Sequence, residues 1–228
     1  ARPRAWTAPA EWPTPACPTT VPPSRATAAL SLPGGRRSAV AVALTLHGAG
    51  PLDAVRPLLD EARSLSVPLT LFLVGTFVRA NPAYVASLGA AGHELANHTA
   101  NHKTMGGLSA SQVASEIVGC RSELERAAST PGAWFRPSGM EVPTEVVLRE
   151  AAVAGYQKVI GYDIDPRDYQ DPGAAGVEQR VKAALHPGAI VSLHTAHEGT
   201  VAAFGGIVAA IRAAGLEART VTGLLGAP

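Results

Sequence analysis

What the chain lacks narrows the field first. Its 228 residues contain two cysteines, Cys17 and Cys120, too few for a disulfide scaffold and without the CxxC spacing of a metal or redox site. Basic residues do not cluster: Arg36-Arg37 is the longest run and the formal net charge is +1, so no nucleic-acid partner is expected. No apolar stretch reaches the roughly 18 residues that a membrane span requires. There is no internal repeat. With 46% hydrophobic and 16% charged residues, the composition is not that of a disordered chain. It suits one domain, or two small ones, with a substantial core. A sequence that begins at Ala1 rather than methionine also points to removal of an upstream segment.

Residues 1–37 are proline-rich, with no helical or alternating pattern. They read as an extended leader lying on the domain surface, with Trp6 and Trp12 as anchors. Two readings of the cysteines stay open: a pair of unlinked thiols, or one bridge pinning that leader to the domain of an exported protein.

From Ser38 the texture changes. Ala39–Leu46 is a short apolar run of the kind buried on both faces of a sheet, and it stops at the breaker-rich His47-Gly48-Ala49-Gly50-Pro51. Helical spacing follows over Leu52–Leu65, then a strand over Pro68–Val74 and a helix opened by Asn81-Pro82. A third strand runs into His98. Ser109 caps a helix over Ala110–Ala128. Strand Ala133–Arg136, helix Pro143–Ala154, strand Gln157–Gly161, helix Val177–Leu185, strand Gly188–His194, helix Thr200–Ala214 and a short strand near Leu216 complete the pattern. Such alternation means parallel strands with crossover helices. Polar residues collect where strands end: His47, His98, Arg136, Asp163–Asp168 and His194. In a β/α barrel those loops share the face that carries the active site.

His98 and His102 are four residues apart and would share one face if the backbone turned helically after His98. Two neutral imidazoles so placed could ligate a zinc- or cobalt-type cation. A pair at this spacing also arises by chance among seven histidines.

Together these loops, over about residues 38–226, resemble the polysaccharide deacetylase family (carbohydrate esterase family four). His98-Thr99-Ala100-Asn101-His102 matches that family's H-T-x-x-H metal motif in full. Tyr162–Tyr169 is similar to its Asp-rich loop, with Tyr169 where tryptophan is usual, and His194 stands at the strand end that carries its acid histidine, with Ser192 in place of a leucine. Arg136-Pro137-Ser138-Gly139 approximates R-x-P-x-G, one residue short. The T-F-D-D-G motif departs most: Thr45-Leu46-His47-Gly48 has no carboxylate, His47 standing for the base and Gly48 for a metal ligand.

The resemblance implies an α/β fold, a distorted parallel (β/α) barrel of about seven strands over 38–228 preceded by the leader. It implies a metal-dependent hydrolase that removes acetyl groups from a chitin-like, peptidoglycan or xylan polysaccharide, or else a catalytically impaired carbohydrate-binding relative. His98 and His102 would hold the metal, zinc first, then cobalt or nickel. His47, Arg136, Asp168 and His194 would be catalytic, with Asp168 orienting His194, while Tyr169, Leu193 and Ser138 would contact substrate. The expected partner is an acetylated polysaccharide or oligosaccharide, handled by a secreted or cell-surface monomer. For His47 three roles remain: base, third nitrogen ligand, or hydrogen-bonding loop residue.

Overall fold

The computed structural model describes residues 28–228. Trp6, Trp12 and Cys17, and with them the leader and any bridge to Cys120, lie outside the described residues. The first half of the domain runs β1 Leu30–Leu32, β2 Ala41–Gly48, α1 Leu52–Ser64, β3 Thr70–Leu73, α2 Gly75–Ala80, α3 Pro82–Ala90, β4 Glu94–Asn97 and α4 Ala110–Ala128. The second runs α5 Glu145–Val153, β5 Lys158–Ile160, a 3-10 turn at Asp168–Gln170, α6 Gly173–Ala184, β6 Ile190–His194, α7 Glu198–Ala213, β7 Glu217–Arg219 and α8 Val221–Leu225.

All paired strands are parallel, in the order β4-β3-β2-β6 with β7 also against β2, and β1 beside β5. Isolated bridges Asn97–Phe135, Phe135–Val159 and Ile164–Val191 join these two groups into a distorted barrel. The segment expected as strand Ala133–Arg136 is not one of the ladder strands, yet it bonds to both neighbours: Ala133 and Arg136 N–H donate to Leu95 O and Asn97 O, and Trp134 O and Phe135 O accept from Asn97 N–H and Ile160 N–H. Leu30–Leu32, expected within the leader, is instead a barrel strand paired with Lys158–Ile160.

Side-chain alternation separates two cores. Val42, Leu44, Leu46, Leu71, Leu73, Leu95, Val191 and Leu193 face outward to the helices. Ala43, Phe72, Ala96, Trp134, Ile160, Ile190 and Val221 fill the inside. A period of two in each strand permits this division. Helix α8 stoppers the lower end: Val221 N–H donates to Thr70 Oγ1 at 2.8 Å, and Trp134 Nε1 donates to Thr222 Oγ1 at 3.1 Å. Ser109 opens α4 with a capping box to Gln112, satisfying two orphan N–H groups of the first turn.

Candidate active site

Above the apolar filling, the inward positions turn polar. Thr45 and Ser192 face each other in register, and one step further His47 faces His194. His98 follows β4, so three histidines meet at the carboxyl ends of β2, β4 and β6. The His47 ring lies 4.4 Å from that of His98 and 4.5 Å from that of His194, and His98 lies 5.1 Å from His102. They line a cavity of about 510 Å³ with Tyr169, Tyr162, Met140, Glu141 and Asp165.

His98 and His102 are brought together, though not by a helical turn. Thr99 and His102 have φ of +70° and +57°, a left-handed conformation that non-glycine residues adopt only when held. Asn97 Oδ1 accepts from Thr99 N–H at 2.9 Å, and Glu116 on α4 accepts from Asn101 N–H and Nδ2 at 2.8 and 3.0 Å. Glu116 had no signal in the sequence, since it bends the loop from a separate helix.

His98 Nδ1–H donates to Arg136 O at 2.9 Å, which leaves its Nε2 lone pair buried and without a partner. Burial pushes its pKa down to about 3 and lowers that of His102 as well, so both are neutral at pH 7. An orphaned imidazole lone pair with its other nitrogen fixed by a carbonyl is the arrangement of a metal ligand. The fit to a divalent cation is nevertheless partial. Among the described residues no three His, Cys, Asp or Glu side chains are grouped to hold an ion. Gly48 lies on the outward-facing parity of β2, and a Cβ there would come within 2.4 Å of Leu73 Cδ2.

Asp168 is hydrogen-bonded to His194 through both its ring and its backbone N–H. It is 1% exposed and accepts His194 Nδ1–H, His194 N–H and Thr200 Oγ–H, each at 2.7 Å, and Tyr169 N–H at 3.1 Å. Burial alone would raise its carboxyl, but the bonds from His194 and Thr200 outweigh burial and hold the pKa below the usual carboxylate range. Thr200, in the first turn of α7, is a member of this group that the motifs did not flag.

Arg136 is buried beneath the cavity rather than in its lining. Its guanidinium donates to Ile160 O (3.0 Å), Gly161 O (2.6 Å) and Thr45 Oγ1 (2.8 Å), meets His47 Nε2 at 3.0 Å, and stacks 4.0 Å from the Phe72 centroid. Leu193 belongs to the outer core and does not line the cavity, because it alternates with His194 along β6. Ser138 is likewise buried: its hydroxyl donates to Lys103 O at 2.5 Å and pairs with Thr99 Oγ1 at 2.9 Å, tying two loops together. Cys120 is a buried thiol that donates to Leu73 O at 3.2 Å.

A family profile described as polysaccharide deacetylase matches residues 35–159. A chitooligosaccharide deacetylase of Bradyrhizobium is 35% identical over 150 residues, covering 64% of this chain and 66% of that protein. A peptidoglycan-N-acetylglucosamine deacetylase of Bacillus cereus is 32% identical over 181 residues, covering 77% and 84%. Among solved structures, a mutant CE4 family pseudoenzyme with restored enzymatic activity superposes with a TM-score of 0.80 at 25% identity, covering 87% of this chain and 72% of that one. The parallel barrel agrees with these likenesses: the chain belongs to the polysaccharide deacetylase family.

Proposed function

We propose that this chain takes an acetylated amino-sugar polysaccharide into the histidine cleft, at the cell surface or outside the cell. There it releases acetate when a divalent cation is supplied well above trace levels. The observation that carries this reading is the partnerless, buried Nε2 of His98 beside His102 and the His194–Asp168 pair. His98 and His102 would hold a zinc-type ion, with cobalt or nickel as substitutes, which supplies Lewis acidity and a bound water of lowered pKa. His194, with Nδ1 fixed by Asp168, presents Nε2 to the cleft, where it would take a proton from the attacking water and hand it to the departing amine. Tyr169, 5.4 Å from the His194 ring, walls the acetyl group. One chain supplies all of these residues. Two imidazoles without a carboxylate leave the ion's charge uncompensated, so affinity for it is weak.

A second reading, binding without turnover, is favoured by Leu73 standing where a Cβ at position 48 would go. Likeness to a pseudoenzyme supports it too. Zinc titrated into the stripped chain with N-acetylglucosamine oligomers separates the two. Acetate release that rises with added zinc is expected. Oligomer binding without acetate at any zinc level leaves the second reading, and no oligomer binding removes both.

A further inference from the structure

His47 was left among three roles by its sequence position, and its hydrogen bonds select a fourth. Every guanidinium nitrogen of Arg136 is a donor. Burial lowers Arg136 only to about 9, so it remains a cation at neutral pH. The His47 nitrogen that it meets at 3.0 Å, Nε2, must therefore accept. Ser192 Oγ approaches the same nitrogen at 3.4 Å. A protonated His47 would set one N–H against another, so geometry alone excludes the imidazolium. In the neutral ring the lone pair is on Nε2 and the proton on Nδ1. That Nδ1 has no partner among the described side chains, and His47 lines the cavity. The neighbouring His98 is fixed the opposite way, with Nδ1–H on Arg136 O and the lone pair on Nε2. The cleft thus carries an acceptor from β4 and a donor from β2, side by side.

We propose that His47 is a specificity-determining residue that donates Nδ1–H to the acetyl carbonyl oxygen of the substrate, with Arg136 and Ser192 as positioning residues that fix its tautomer. This rests on the reading of the cleft as an acetylated-sugar site. A site that donates to a carbonyl discriminates against a ligand lacking it, because the donor is then left unpaired. The same tautomer removes His47 as general base and as third metal ligand, since its one lone pair is already engaged.

Two measurements on the metal-stripped full chain test this. Nitrogen-15 spectra of the histidine rings should show His47 protonated at Nδ1 and bare at Nε2 at neutral pH, and the reverse pattern overturns the proposal without any variant. Calorimetry should show wild type preferring an N-acetylglucosamine tetramer over the fully deacetylated tetramer. In His47→Phe that preference should fall about five- to tenfold, and His47→Asn, which keeps a donor, should retain part of it. An unchanged preference in His47→Phe overturns the role. If wild type binds neither tetramer, the sugar-cleft reading fails and the role goes with it, while the spectra still decide the tautomer.

Discussion

On the β6 side of the cleft, His194 rests on a carboxylate that accepts four hydrogen bonds from its surroundings. On the β2 side, His47 rests on a cation, and the next residue is a glycine whose missing side chain is covered by Leu73. The two strands are neighbours and the two histidines are in register, so the difference lies in chemistry rather than scaffold. A carboxylate behind an imidazole holds its Nδ1–H and turns Nε2 toward the cleft. A cation behind it favours the neutral form and fixes which nitrogen is free. The β6 side is therefore complete in its carboxylate support, while the β2 side has none. It survives without a carboxylate because Arg136 finds neutral acceptors in two carbonyls and a hydroxyl.

Breaking the complete side should have the largest effect. Asp168→Asn removes the group that orients His194, and zinc-supported acetate release should fall by about 100-fold or more, with oligomer affinity changed less than about twofold. The variant should also lose about 1–3 kcal/mol of stability, because an amide NH2 would meet donors. Equal losses in affinity and rate would mean that Asp168 only shapes the cleft.

Repairing the incomplete side should have a smaller effect, and the repair needs room. Gly48→Asp alone forces Leu73 from its rotamer and should cost about 1–3 kcal/mol. Gly48→Asp combined with Leu73→Ala should tighten zinc binding on the order of tenfold relative to Leu73→Ala alone. Calorimetry on stripped protein reads this directly, and matching affinities would show that position 48 does not reach the ion.

The smallest effect is in pH. The folded pKa of Asp168 is lowered, so its contribution is full above the unfolded value of about 3.9 and is lost as pH falls through the folded value. The stability gap between wild type and Asp168→Asn should stay level above about pH 5, then shrink by on the order of 1 kcal/mol in acid. Urea unfolding at stepped pH measures it; a gap constant down to pH 2 would contradict the assigned hydrogen bonds.

Much of this was legible because it was local. Ser109 and Gln112 announce α4 from within four residues, and its observed limits are the expected ones. The alternation of strand and helix implied parallel strands with crossover helices, the family resemblance implied the barrel, and strand ends implied where the histidines would meet. What escaped depended on distant partners. Leu30–Leu32 is unreadable as a strand without Lys158–Ile160 beside it. The bend at His98–His102 is imposed by Glu116 from a helix, so spacing alone suggested a helical turn that does not exist. Leu193 was expected to contact substrate from the family resemblance, yet strand parity sends it to the face opposite His194. The role of His47 hinged on the direction of one lone pair, set by a residue 89 positions away.

Helix α8, which closes the lower end of the barrel, bears on how the domain assembles during synthesis. The filling of Phe72, Ala96 and Trp134 is sealed by Val221, and β7 at Glu217–Arg219 still has to dock against β2. Those residues leave the ribosome after every other strand and helix of the described barrel. Until they emerge, an apolar channel stands open at one end of an otherwise formed barrel, the kind of transient surface that chaperones capture. Folding of the barrel is thus completed from Glu217–Leu225 inward, beneath a cleft whose own residues were all made earlier.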